Sequence, residues 1–394
     1  MARIAYQKLD RNSPLLVGLM ALLAVLVVAG LAAAYYMEHN GHVVTGMTNQ
    51  IVWGMPHVFA VFLIVAASGA LNLASISSVF KRAEYKPFAR FSAILSVALL
   101  VGGLAVLVLD LGRPDRLIVA MTTYNFRSIF AWNIYLYTGF LAIVGAYLFA
   151  MMDRGVSRIA LAVTLLGTLA FVWRLVLTTG TGSIFGFLSA REAYDTAIMA
   201  PLFIAASLLY GLAFTILLLS VVGHAMREEL IGTEMWGKFR TLLVVFALAV
   251  VYFTAVLFLT KLYMSKHHGV VGFLLRDGGV YTQVFWLGQV ALGLALPLAL
   301  LATGGSRTIM RTASVLFILG GLATMYVVII GGQAYPLELF PGMQVSSSFL
   351  DGAVEVYTPT LPEVMLGVGG MSLALLIAMI ACRLLPFLPA AVSE

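Results

Sequence analysis

Residues 89–116 read ARFSAILSVALLVGGLAVLVLDLGRPDR. From Phe91 to Leu109 no residue is charged; then Asp110, Arg113, Asp115 and Arg116 follow in quick succession. A helix needs about 20 apolar residues to cross the hydrocarbon core of a bilayer, and this run has that length. Gly112 suits the residue that follows a helix and Pro114 blocks its continuation, so the run ends where the charges begin. Working outward, nine more runs share these properties. The ten expected spans are 14–36, 50–80, 89–111, 130–152, 157–177, 196–222, 239–263, 280–303, 309–331 and 362–386. Membrane β-strands would alternate and last about ten residues, whereas these runs are continuous and longer. The expected fold class is an all-α integral membrane protein with ten transmembrane helices. The first span follows a basic segment (Arg3, Lys8, Arg11) but is too long for a signal-peptide core of about 7–15 residues.

Composition agrees. The chain has 394 residues, 62% hydrophobic and only 10% charged, with a mean hydropathy of +1.02. Soluble domains carry about 25% charge, so soluble enzymes, nucleic-acid binders and secreted disulfide scaffolds are excluded. The net charge of +6 needs no nucleic acid to account for it, because membrane proteins concentrate Lys and Arg on their cytoplasmic loops. The single cysteine, Cys382, cannot hold an iron–sulfur cluster, which usually takes four. Only His57 lies well inside a span; His39, His42, His224, His267 and His268 fall at ends or in loops. A haem held by two histidines needs two on helices, so neither haem nor iron–sulfur cluster is expected in this chain.

The distribution of Lys and Arg sets the expected orientation. With the N-terminus inside, only Arg113, Arg116, Arg127, Arg174, Arg191, Lys261, Lys266 and Arg276 fall on the outer side, and the other fifteen lie inside. Both termini are then cytoplasmic. The longest loop, 332–361, is outer, with Glu338, Asp351 and Glu355 and no Lys or Arg, and reads as a partner dock, a lid or a solvated connector.

A loose repeat is visible. Gln50 precedes Pro56 as Asp195 precedes Pro201, and the spans that follow end in polar Asp110 and Lys261. This suggests two parallel-related four-helix bundles, 50–177 and 196–331, flanked by spans one and ten (362–386).

An ionisable side chain inside a span is costly and is a functional candidate. An unperturbed imidazole changes charge near neutral pH, which singles out His57, and Pro56 beside it is expected to remove a helix hydrogen bond and open local backbone within the span. At about 100° per residue, Ser68, Asn72 and Ser75 lie within about 60° of His57. They form one polar stripe, either a proton path or ordinary helix–helix hydrogen bonding. Asp110 and Arg113 are placed to pair. Trp132, Asn133 and Tyr135 open span four, either as an interfacial belt or as the wall of a pocket for a flat ring. Arg174 either snorkels to the surface or pairs with Glu192 or Asp195. Lys261, Lys266, His267 and His268 read as a solvated rim.

Asp110-Leu-Gly-Arg-Pro-Asp-Arg116 followed by Asn125-Phe-Arg-Ser128 and an aromatic span resembles the NrfD/polysulfide-reductase family of membrane subunits. The stretches 45–57 and 172–183 are most similar, within it, to the membrane subunit of sulfite-reductase-associated complexes (DsrP). The resemblance implies a subunit in a bacterial cytoplasmic membrane that exchanges electrons with menaquinone or ubiquinone, in sulfur or respiratory metabolism. It implies a periplasmic ferredoxin-like iron–sulfur partner, with cytochromes or a catalytic subunit beside it. The implied quinone site is at the outer end of the first bundle. His57 would bond one ring oxygen and exchange a proton with it. Asp110 would pass or accept protons toward the outer water, its charge tuned by Arg113. Trp53, Trp132 and Tyr135 would line the ring, with Asn133 among the quinone contacts. Relatives carry an Asn where Trp53 stands, and a Tyr that has no counterpart near Trp173 and Arg174. Proton translocation along Ser68, Asn72 and Ser75 is a further expectation. The rival readings are a secondary transporter and a purely structural anchor.

Overall fold

The computed structural model describes residues 5–153, 155–156, 159–337 and 352–390. Arg3, Arg154, Arg158 and most of the long acidic loop, with Glu338 and Asp351, lie outside the described residues. Ten helices are long and apolar enough to cross a membrane: Pro14–Asn40, Met55–Ser78, Ala83–Leu109, Ile129–Met152, Leu161–Gly186, Met199–Met226, Thr233–Tyr263, Val280–Thr303, Arg307–Ala334 and Leu361–Leu384. They are called spans one to ten in that order. The protein is a multi-pass, nearly all-helical integral membrane protein.

Both ends of the chain lie on one face. Tyr6–Gln7 pairs antiparallel with Leu388–Pro389, and the Leu9 amide donates to the Cys382 carbonyl at 2.8 Å. This is the terminal face. The opposite face carries the loop before span two and is called the His57 face.

Spans two and six form the centre, with 94% and 83% of their apolar windows buried against 17% for span one. They cross backbone to backbone. A Cβ at Gly69 would sit 1.6 Å from the Ser207 carbonyl oxygen, and one at Gly211 2.0 Å from the Ala70 amide, so only glycine permits the approach. Around this crossing, span two packs on spans three, five, nine and ten, span four on span five, span six on spans seven and nine, and span eight on span nine; span one leans on span ten.

Several spans depart from regular α-helix, span two at a break in mid-span and span eight over a long stretch. Span two breaks at Leu71, between Met55–Ala70 and Asn72–Ser78. Ser92 of span three stitches the break: its hydroxyl donates to the Ala70 carbonyl at 2.6 Å and accepts from the Ala74 amide at 3.1 Å. This is how freed backbone is tolerated where no water reaches it. Span eight winds as a π-helix over Val284–Ala295.

Candidate functional site

Span two begins at Met55, not at residue 50, with Gly54 as its N-cap. Pro56 therefore occupies the first turn, where its missing N–H breaks nothing. The expectation that it opens backbone inside the span is corrected, and His57 sits in the first turn. Residues 50–54 are non-helical chain pinned by Gln333 of span nine. The Gln333 side-chain oxygen accepts from the Val52 and Trp53 amides at 3.0 and 3.1 Å, and its amide nitrogen donates to the Trp53 carbonyl at 3.0 Å. Gln50 donates to the Gln333 and Ala334 carbonyls, and Arg191 bridges the Gln333 and Gln50 carbonyls at 3.0 and 2.7 Å.

A second clasp comes from span ten. Glu363, fully buried, accepts from the Gly46 amide, the Thr360 amide and hydroxyl, and the Tyr357 hydroxyl at 2.6–2.8 Å. Tyr357 in turn accepts from the Met55 amide at 2.7 Å. A Cβ at Gly54 would lie 2.5 Å from the Glu363 carboxylate oxygen, so glycine is required where the two elements meet. Burial and the neighbouring Glu363 hold the Tyr357 phenol above its ordinary range, so it remains a donor.

Held in this frame, His57 Nδ1 lies 2.9 Å from Asp110 Oδ2. Asp110 is the C-cap of span three, its carboxylate 1% exposed, while the His57 side chain is 21% exposed. The two atoms are at ion-pair distance, yet off the line of an ideal ring N–H bond, and neither Asp110 oxygen has a hydrogen-bond donor among the described residues. A buried carboxylate without donors is costly, and the basic group beside it is the His57 imidazole. Nε2 of His57 has no partner among the described residues and is the atom left to meet a ligand.

Trp53 covers this imidazole, ring centroids 6.2 Å apart at 27°. Phe130, Phe185 and Tyr194 pack around Trp53 at 5.7, 5.8 and 6.5 Å. Tyr194 is itself buried and donates to the Ile329 carbonyl at 2.7 Å. His42 lies over Gly112, next to the turn that follows Asp110.

Several expected neighbours lie elsewhere. Arg113 does not pair with Asp110; it grips Asp115 in an exposed fork at 3.2 Å, holding that carboxyl below its usual range. The proline at 114 turns the chain away before Arg113 can fold back. Trp132 and Tyr135 do not touch Trp53. They form a separate exposed cluster with Tyr124 and Phe126, Trp132 donating to the Phe126 carbonyl and Tyr135 to the Met121 carbonyl. Phe130 takes the Trp53 side because it stands about 200° and 140° round the helix from Trp132 and Tyr135. Asn133 is buried between spans four and five, donating to the Ile129 and Gly180 carbonyls.

The stripe below His57 is engaged by span five. Ser68 donates to the Arg174 carbonyl at 3.1 Å and accepts from Thr178 at 2.5 Å; Asn72 Oδ1 accepts from Arg174 at 3.1 Å. Ser75, beyond the break, bonds back to Leu71. Span five runs to Gly186, which puts Arg174 in mid-membrane and 3% exposed rather than near a surface. It neither snorkels nor pairs with Glu192 or Asp195. Its contacts are Asn72, the Ser68 carbonyl and the face of Phe171 at 5.0 Å, with no carboxylate among the described residues. The rim reading of Lys261 and His267 is likewise corrected. Both are 4% exposed, and Lys261 donates to the Glu192 carbonyl at 2.5 Å. Lys261 lines a small cavity of about 30 Å³ with Thr254 and Gln289, whose side-chain oxygens have no hydrogen-bond partner.

The comparisons with known proteins meet this geometry here. The family described as polysulphide reductase, NrfD, matches residues 43–336, from just before span two to the end of span nine. The chain belongs to that family. It is 27% identical to the Hdr-like menaquinol oxidoreductase integral membrane subunit of Archaeoglobus fulgidus, covering 98% of this chain and 97% of that one. It is 31% identical to a Halobacterium salinarum protein named as a dimethyl sulfoxide reductase membrane subunit, covering 95% and 92%. It is 26% identical to one of the polysulfide reductase chains of Wolinella succinogenes, covering 64% of this chain and 83% of that one. The first two relatives extend over spans one and ten as well.

Proposed function

We propose that this chain is the quinone-reactive membrane subunit of a redox complex, and that the His57–Asp110 pair is where quinol gives up its protons. The observation that carries this is the pair itself: a buried carboxylate 2.9 Å from an imidazole whose other nitrogen is free and partly exposed. Quinol oxidation releases two protons and two electrons. His57 Nε2 takes one hydroxyl proton and Asp110 steadies the imidazolium so formed; that proton is then passed to the water on the His57 face, and the freed Nε2 takes the second. The electrons pass to an iron–sulfur partner on the His57 face, as the family resemblance suggests. Trp53, with Phe130 behind it, supplies a flat apolar wall for the quinone ring. Menaquinol is the first substrate to try, since the Archaeoglobus relative is named for it.

The orientation follows the charge bias. With Arg174 and Lys261 withdrawn from the surface, the His57 face is left with fewer exposed cations, which favours placing both termini in the cytoplasm. We also read spans two to five and six to nine as parallel-related bundles, because Pro56 and Pro201 both fall in first turns and Asp110 and Lys261 both lie at the end of the next span.

The test is quinol-dependent reduction of the partner by the whole complex, for wild type, His57→Ala, Asp110→Asn and Arg113→Gln. Loss in the first two with Arg113→Gln unaffected supports the assignment. Retention of full activity by His57→Ala in a normally assembled complex leaves the chain an anchor.

Coupled proton movement is a second reading, favoured by the buried Ser68–Thr178–Arg174–Asn72 network beneath His57. Proteoliposomes of the complex should then move more protons than quinol chemistry at one face releases; no excess removes it.

A further inference from the structure

A cavity of about 510 Å³ lies on the terminal face, opposite the His57–Asp110 pair. It opens where spans six, seven and nine reach the membrane boundary. We propose that it binds the phosphate group of an acidic phospholipid, held by Arg227 and Arg311.

Basic side chains reach this cavity from separate elements: His224 and Arg227 from the end of span six, Arg307 and Arg311 from the first turns of span nine. Two carboxylates line it too, but both are occupied. Glu229 is paired with Arg307, and Glu228 accepts from Gln7 at 2.7 Å. Arg227 and Arg311 have no carboxylate partner among the described residues. The Arg311 guanidinium stands 6.0 Å from the Trp236 ring centre. Ser220, nine-tenths buried in the wall, has a hydroxyl with no hydrogen-bond partner. Two unpaired guanidinium forks and a spare hydroxyl are a donor set that suits phosphate oxygens.

The backbone favours the same reading. Arg227 caps span six in the left-handed region, φ 58° and ψ 39°. Glycine or asparagine usually fills that position because a Cβ is disfavoured there. An arginine at this strained cap is consistent with a use for its side chain. Trp236, in the first turn of span seven, sets the depth: indoles gather at headgroup level. Leu219 and Leu230 give the cavity an apolar flank for the start of an acyl chain, and basic pockets between spans are a recurrent form of lipid headgroup site.

Phosphate could come from a lipid or from solution, and one experiment separates them. The complex is purified, stripped of lipid with detergent, and titrated with phosphatidylglycerol, with phosphatidylcholine and with inorganic phosphate, reading bound lipid by native mass spectrometry and thermal midpoint. Phosphatidylglycerol should be retained and raise the midpoint by several degrees, phosphatidylcholine much less. Arg227→Gln with Arg311→Gln should weaken phosphatidylglycerol at least tenfold while quinol-dependent activity shows that the complex is assembled. If that double variant fails to assemble, Arg311→Lys and Ser220→Ala, each expected to weaken binding severalfold, take its place. Equal retention of the two lipids, or no loss in the assembled variants, overturns the site. Stabilisation by inorganic phosphate matching that by phosphatidylglycerol overturns the lipid assignment.

Discussion

At the His57 face each half of the chain buries a titratable side chain just inside the membrane. In the first half, His57 faces a carboxylate without a hydrogen-bond donor among the described residues, and its side chain keeps 21% of its surface open. In the second half, Lys261 is 4% exposed and spends its charge on a backbone carbonyl, with His267 packed 4.0 Å from Glu192. The first arrangement leaves a nitrogen free and a proton acceptor behind it; the second encloses its cation. The difference is one of access: the His57 ring stays partly open, whereas the unpaired oxygens of Thr254 and Gln289 beside Lys261 are enclosed in a small cavity.

The largest expected effect lies in the first half. His57→Ala should lower quinol-dependent turnover by about 100-fold or more, the scale of losing a general base, with normal amounts of the subunit in the membrane. Asp110→Asn should come next, because the imidazolium formed on turnover loses its counter-charge; turnover of the assembled complex would report the loss. Gln333→Leu should follow. It removes the bonds that hold residues 52–53 and leaves buried amides unpaired, at about 1–3 kcal/mol; a lowered thermal midpoint together with weaker quinol-analogue binding would report both consequences.

Lys261→Met gives the sharpest contrast, since it should leave quinol-analogue binding within about twofold of wild type. A large loss there would break the comparison, because the second half would then share the site. The smallest effect concerns His267. Burial, and then Lys261 and Lys266, hold its imidazole below the ordinary value of 6.5. The folded chain therefore resists protonating it while the unfolded chain does not, so stability falls as pH drops below about 6.5. In His267→Gln that part of the decline, measured as thermal midpoint against pH, should be absent.

Much of this is legible in the sequence. Long uncharged runs such as 91–109 reveal the spans because a bilayer offers no partner for stray charges, and Gly112 and Pro114 mark where span three stops. His57 and Asp110 stand out for the same reason, as ionisable groups at span ends. Their pairing is not legible, because it depends on how spans two and three cross. Pro56 misleads for a local reason: an apolar stretch from residue 50 looks continuous with the helix, although Gly54-Met-Pro is the signature of a helix start. Arg174 misleads because Thr178–Ser183 is polar enough to look like a loop, while those hydroxyls bond to span two, to span four and to their own helix. Gln333, Tyr357 and Glu363 carry no signal, since each acts on a segment about 280–320 positions away.

The central claim is that quinol is held at His57 under Trp53. The direct measurement is fluorescence titration of the purified complex with a quinol-analogue inhibitor, for wild type, Trp53→Phe and His57→Ala. The account predicts saturable quenching in wild type, most of it lost with the Trp53 indole, and an affinity at least tenfold weaker in His57→Ala. Equal affinity in wild type and His57→Ala, with the complex intact, would contradict it.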